Sequence, residues 1–239
     1  MIRELTDLLM PRTCLVCGRQ LGVKEEHLCI WCRSDLPLTW NWEQPHNSMA
    51  DKLNALLERG RADGELAPYV HAAALLLYHH ENPYKAIPRA LKYLGNVKAG
   101  RYFAAMLGQS LAGAAHFADV DLVVPVPLHW MRKWQRGYNQ ADVIAQELAR
   151  ELGAGFDPGV LYRTRRTRTQ TRLDASARMK NVEGVFKVRR APLAAKHHIL
   201  LVDDTFTTGA TLAACYQALR AVLDPSQRIS VATLSMVQD

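Results

Sequence analysis

Apolar positions along this chain change their period several times, and the changes mark an α/β protein. Short continuous apolar runs, the mark of strands buried on both faces, occur at Val70–Tyr78, at Val120–Pro127 and at His198–Val202. Helical signals follow them. Asn82-Pro83 reads as an N-cap with Pro at the first helical position, with Pro88 kinking or delaying the helix, and Arg101–Ala115 reads as another. After the second run, Ala141, Ile144, Ala145, Leu148 and Leu152 share one face of a helix that starts at Asn139, paired with Asp142, and stops at Gly153. After the third, Leu212, Cys215, Leu219 and Val222 share a face, which predicts a buried core thiol at Cys215. Strands that feed helices predict a parallel sheet flanked by helices.

The rest of the chain is less regular. Leu38 to Pro68 is polar and mixed, with one helix predicted over Met49–Leu57. Ile2, Leu5, Leu8 and Leu9 share a helical face, read as a packing helix. The expected organisation is a small N-terminal module over 1–45, a linker with a connecting helix over 46–68, and an α/β domain over 69–239.

The third strand carries the most chemistry. It ends in Asp203 and Asp204, followed by Thr205-Phe206-Thr207-Thr208-Gly209-Ala210-Thr211 at the start of a helix. In parallel sheets ligands sit at the carboxyl ends of strands. Carboxylates there suit sugar hydroxyls or a hydrated Mg²⁺, and hydroxyls with backbone N–H groups at a helix N-terminus suit a phosphate. A phosphorylated sugar carries both. The alternative is an Asp- and Thr-rich helix cap with no ligand. A Walker A loop is excluded by the missing Gly-Lys-Ser/Thr ending.

The cysteines point to a metal. Cys14-Leu15-Val16-Cys17 and Cys29-Ile30-Trp31-Cys32 form a C-x2-C-x11-C-x2-C array. Two such knuckles converge four thiolates on one tetrahedral ion, and Gly18 suits the tight turn. Four ligands leave no open position, so the role expected is structural zinc, with an iron–sulfur cluster as the rival; His27 is read as an exposed side chain rather than a spare ligand. Paired cysteines without an export signal favour metal over disulfides and a cytoplasmic setting, and no eighteen-residue apolar run suggests a membrane span.

Charge adds one feature. The net charge is +7, yet ten basic residues between Arg163 and Arg190 face only Asp174 and Glu183, a local net of +8. Such density suggests a polyanionic partner. Arg132, Lys133 and Arg136 follow the second strand, where they suit a pyrophosphate, with Trp130 and Trp134 nearby as stacking surfaces for single-stranded DNA. The histidines at 71, 79, 80, 116, 197 and 198 show no ligand or triad spacing.

Asp-Asp-x-x-Thr-Thr-Gly-x-Thr after an apolar strand resembles the 5-phosphoribosyl-1-pyrophosphate (PRPP) motif of type I phosphoribosyltransferases. That resemblance implies ribose or Mg²⁺ binding by Asp203 and Asp204, and 5′-phosphate binding by Thr205, Thr207, Thr208, Gly209, Ala210 and Thr211. It implies a flexible basic loop with Gln170, Arg178 and Asn181. Hypoxanthine-type relatives carry an acid, thought to be the general base, where this chain has Thr207. With Pro125-Val126-Pro127-Leu128-His129, Arg136-Gly137-Tyr138-Asn139-Gln140 and the four cysteines in order, the chain resembles the ComF/GntX family. This resemblance implies a type I phosphoribosyltransferase-like fold behind a zinc module, and a link to competence and DNA uptake. It leaves three roles open: phosphoribosyl transfer to an unidentified acceptor, a non-catalytic PRPP or nucleotide sensor, and a single-stranded-DNA-binding factor working with competence-machinery proteins.

Overall fold

The structure, a computed structural model, describes residues 11–59, 68–79, 81–93, 95–128, 137–164, 184–190 and 193–238. The predicted N-terminal packing helix lies outside them. Five strands form one parallel sheet: β1 (Ala72–Tyr78), β2 (Leu122–Pro125), β3 (Gly155–Phe156), β6 (His198–Phe206) and β7 (Arg228–Val237), in the order β1-β7-β6-β2-β3. The strand carrying the acidic motif is therefore the central one. β4 (Leu161–Arg163) and β5 (Phe186–Val188) form a separate antiparallel pair.

Alternation along the central strands feeds two cores. Ile199 and Leu201 of β6, with Val124 and Val231, pack against α2 (Ser48–Glu58), which follows the short α1 (Ile30–Ser34), and against α6 (Ala210–Arg220). Leu200 and Val202, with Val123 and Ala232, pack against α3 (Ala86–Tyr93), α4 (Val97–Ala112) and α5 (Gln140–Leu152). Each fully buried Leu, Ile or Val contributes roughly 1.5–3 kcal/mol. Cys215 lies in the first core, 0% exposed, as its helical face predicts.

Helix starts follow local chemistry. Asn139 caps α5, accepting from the Ala141 N–H, and Gly153 ends it with a φ of 66°. A 3-10 turn, Pro83–Lys85, precedes α3, so Pro88 falls in the first turn of the α-helix, where its missing N–H costs nothing. The helix predicted from Arg101 starts four residues earlier, because the Asn96 side chain accepts from the Ala99 N–H. The helix predicted in the mixed segment is α2, and tertiary contacts decide its setting. Asn54 donates to the Val70 carbonyl at 2.9 Å and accepts from the Val70 N–H at 3.0 Å, and Met49 and Leu53 are 0% exposed.

The N-terminal module is joined to the sheet. Leu38 bridges Leu76 of β1, and the Leu77 N–H donates to the Pro37 carbonyl at 2.8 Å, which covers the outer edge of β1. Among the described residues no helix is long and apolar enough to cross a membrane.

At the opposite end of the sheet, His198 is 1% exposed; its Nδ1 lies 2.8 Å from Asp119 Oδ1 and its Nε2 2.8 Å from Ser230 Oγ. The order Ser–His–Asp resembles a hydrolase relay, but Ser230 is 2% exposed and meets no substrate. The array instead ties the starts of β6 and β7 together. Burial lowers the His198 pKa to about 4, opposed by the nearby Asp121 carboxylate. Asp119, which meets Nδ1, is also paired with Arg228.

A folded-state pKa below the unfolded value of about 6.5 means that the unfolded chain binds the extra proton. Stability due to His198 is thus present above about pH 6.5 and lost as pH falls toward 4. Urea unfolding across this window should show a loss on the order of 3 kcal/mol in the native protein. The pH slope of His198→Gln should be flatter by about that amount.

Candidate sugar-phosphate site and thiolate cluster

Asp203 and Asp204 stand at the carboxyl end of β6 in mid-sheet, paired in register with β7 through Asp203↔Thr233 and Thr205↔Ser235. Consecutive strand positions point to opposite faces, and the two carboxylates have different neighbours. Asp203 Oδ1 accepts the Asp204 N–H at 2.8 Å and feels the Arg163 guanidinium. Asp204 Oδ1 meets Lys92 Nζ at 3.3 Å. Both residues are intermediate in exposure, and the Asp204 side chain is 17% exposed, whereas the Asp203 carboxyl is the more deeply buried of the two. Burial of the strand end, and then the negative charge of Asp204, push the Asp203 carboxyl up, with Lys92 and Arg163 pulling the other way.

The turn beyond is shaped by one glycine. Gly209 has a φ of 76° and is the N-cap of α6. A Cβ there would lie 2.9 Å from the Phe206 ring and 3.0 Å from Leu56, so only glycine fits. No side chain caps α6, which removes the explanation of the Asp/Thr cluster as a helix cap. Among the described residues no protein group hydrogen-bonds the hydroxyls of Thr207, Thr208 or Thr211. Backbone N–H groups around a left-handed glycine at a helix N-terminus form an anion-binding concavity. Ala210 is buried beside Gly209, so it offers its backbone only.

Thr205 is differently engaged. Its hydroxyl lies 3.1 Å from both Lys92 Nζ and Ser235 Oγ. Lys92 and Ser235 thus belong to the site, although the sequence pattern does not single them out. Lys92 sits in the last turn of α3, more than a hundred residues from the motif, and only the packing of α3 over the sheet brings it there.

Arg132, Lys133, Arg136, Gln170, Arg178, Asn181, Trp130 and Trp134 lie outside the described residues. The ends of their segments are placed. Asn139 Nδ2 donates to the Val126 carbonyl at 3.1 Å, and the Tyr138 hydroxyl donates to the Leu91 carbonyl next to Lys92. The residues flanking 129–136 thus meet at the carboxyl end of β2, beside β6. The β4–β5 ladder likewise brackets the basic stretch, pairing Leu161 with Val188 and Arg163 with Phe186.

The four cysteines converge as their spacing predicts. The sulfurs of Cys14, Cys17, Cys29 and Cys32 all lie within 4.8 Å of one another. Cys17 and Cys29 are 3.7 Å apart, close to the edge, about 3.8 Å, of a tetrahedron with metal–sulfur bonds of about 2.3 Å. Gly18 takes a φ of 72° in the first knuckle. Burial opposes ionisation of Cys14, yet N–H groups of Cys17, Cys29 and Val16 bring its thiol down to about 6. Burial and neighbouring thiols push Cys32 up. Four sulfurs so close cannot all ionise without a cation among them, and the donor set fits a thiophilic metal ion. His27 is not part of the cluster and is not exposed as predicted. It is half-buried, edge-on to Tyr102 with ring centroids 5.3 Å apart. Cys14 and Cys29 are 2% exposed and share a core with Phe103 and Leu107 of α4.

No protein-family model matches the chain. Over 140 residues it is 34% identical to the DNA utilization protein YhgH of Salmonella typhimurium, covering 57% of this chain and 61% of that protein. Over 150 residues it is 30% identical to competence protein F of Haemophilus influenzae, covering 61% and 66%. The chain is a homologue of these proteins. It spans 43% of YhgH from Salmonella typhi, at 40% identity, so the shared part runs from 43% to 66% of the length of these relatives. Among solved structures, the glutamine PRPP amidotransferase of B. subtilis is 19% identical and covers 62% of this chain and 30% of that one, with a TM-score of 0.41. Orotate phosphoribosyltransferase from Aeropyrum pernix is 14% identical, covering 77% and 92%, with a TM-score of 0.35.

Metal analysis of the purified protein should give about one tightly held ion per chain. Cys29→Ser should lower that content and the melting temperature together. A metal-free native protein with unchanged stability would remove the cluster's assignment.

Proposed function

We propose that the turn between β6 and α6 binds PRPP together with Mg²⁺, and that the protein acts in the cytoplasm in DNA uptake or natural competence. In this reading Asp203 and Asp204 accept hydrogen bonds from ribose hydroxyls. The N–H groups from Thr207 to Thr211 hold the 5′-phosphate, with Thr205 anchoring the strand end. Arg132, Lys133 and Arg136 face the pyrophosphate, and the segment with Gln170, Arg178 and Asn181 closes over it. Mg²⁺, when bound, offsets the charge of the pyrophosphate. The observation that carries the reading is an acidic pair at the end of the central strand, followed by a helix N-terminus shaped by Gly209 and capped by no side chain.

Thr207 supplies no proton-accepting carboxylate. Transfer therefore requires an acceptor that is already a strong nucleophile, and without one the site serves as a sensor. Pyrophosphate release over a panel of amine and base acceptors separates the two.

The binding reading has a pH signature. Asp203 is pushed up to about 7, above its ordinary value of about 3.9. Its stabilising effect on the empty fold is complete below the ordinary value and is lost as pH rises through 7. Ribose hydroxyls need the ionised form, so binding runs the opposite way. Calorimetry should show PRPP with Mg²⁺ binding about tenfold more tightly at pH 8 than at pH 6. Asp203→Ala with Asp204→Ala should abolish binding, and absence of binding to the native protein would defeat the reading.

Zinc is the metal proposed for the four thiolates, in a structural role, because Cys₄ sites of this spacing close all four positions. A second reading, single-stranded DNA binding, is favoured by the local charge of +8 between Arg163 and Arg190. Fluorescence anisotropy with a labelled single strand should then give an affinity that falls steeply with salt. Neutralising Arg165, Arg166 and Arg168 together should shrink the slope by about two, and an unchanged slope would exclude this stretch as the contact.

A further inference from the structure

A cavity of about 280 Å³ lies between the end of β1 and α3, lined by Tyr78, Lys85, Pro88, Arg89, Lys92 and Tyr93. We propose that this cavity is an anion-recognising subsite that holds the carboxylate or phosphate of a small ring-bearing second substrate beside the sugar-phosphate site.

Its place in the sheet supports this first. Tyr78 is the last residue of β1 and pairs with Val237 of β7, while Thr205 and Phe206 of β6 pair with Ser235 and Met236. The cavity thus opens at the carboxyl edge of the sheet, two strands from the acidic pair. Lys92 belongs to both places. It lines the cavity, and its Nζ lies 3.3 Å from Asp204 and 3.1 Å from the Thr205 hydroxyl. An occupant touching Lys92 meets a side chain that also contacts the acidic strand end.

Charge is the second argument. Lys85, Pro88, Arg89 and Lys92 recur at i, i+3, i+4 and i+7 and form one stripe along the 3-10 turn and α3, while Ile87, Ala90 and Leu91 are buried on the other side. Like charges three and four residues apart weaken a helix. Among the described residues three cations and no carboxylate line the concavity, and of the three Lys92 is also paired with Asp204. Guanidinium and ammonium groups converging on a concave surface fit a small oxyanion.

Size limits the occupant. Ligand pockets run from about 300 to 1,000 Å³, and this one lies at the lower bound. That volume matches a single ring with one anionic substituent. Tyr93, 70% exposed at the rim, offers a planar ligand an aromatic surface. The role as second-substrate subsite rests on the PRPP reading, whereas anion binding in the cavity does not.

The test uses the full chain with benzoate, phenyl phosphate and neutral benzamide as probes, followed by ligand-observed NMR and calorimetry without PRPP. Benzoate or phenyl phosphate should bind while benzamide does not, and comparing the two anions tells which headgroup the site prefers. Lys85→Gln with Arg89→Gln should weaken the bound anion about tenfold or more. The same variant should leave PRPP–Mg²⁺ affinity and the melting temperature unchanged. Equal binding of benzamide, or no anion binding, overturns the subsite. A parallel loss of PRPP affinity in the variant overturns it too, because the cavity would then belong to PRPP itself. Anion binding in a protein that ignores PRPP would overturn the proposed function and leave the anion site standing.

Discussion

The structure depends on a central strand that is paired on both edges and packed on both faces. β6 is hydrogen-bonded to β2 and β7, and four consecutive side chains from Ile199 to Val202 are 0% exposed. A strand held on all sides cannot shift register without exposing its apolar residues. Its end is therefore a fixed point, and the two carboxylates there are held by the burial of the residues before them. The β4–β5 pair brings Arg163 near one carboxylate, and the packing of α3 over the sheet sets Lys92 against the other. A solvent-exposed motif of the same sequence would have ordinary carboxylates and no defined partner for either.

The thiolate cluster is tied to the same frame from outside. Cys14 and Cys29 pack with α4, and the Tyr84 hydroxyl donates to the Cys32 carbonyl at 3.1 Å at the entry to α3. The chain leaving the second knuckle covers the edge of β1 at Leu38. A short segment with little apolar area of its own depends for its order on these contacts, and its four clustered sulfurs could hold a metal ion that adds to it. Because α3 carries Lys92, the module buttresses the helix that completes the acidic site. Its structural role thus extends toward the site without any thiol reaching a ligand there.

Much of this was legible in the residues. The three apolar runs became β1, β2 and β6, because uninterrupted apolar stretches have few destinations other than a sheet buried on both faces. Asn139 and Gly153 bounded α5 as their local chemistry dictates. The knuckle spacing placed four sulfurs together, since C-x2-C turns have little freedom. The polar segment after Leu38 was the weakest part of the pattern. Its helix was visible, but its burial depends on Asn47 and Asn54 hydrogen-bonding to the backbone around β1, which no periodicity records.

The sequence by itself determined the alternation of strands and helices, the acidic pair with its glycine turn, the thiolate array and the concentration of positive charge. These are local properties, set by period, spacing and the few conformations that Gly, Pro and Asn permit. Only the tertiary structure decided the order of the strands and the central place of β6. It also brought Lys92 and Ser235 to Asp204 and Thr205, and it curved the cationic stripe of α3 around a cavity. Those are contacts between residues distant in the chain, and they exist because two apolar faces of one sheet had to be covered at once.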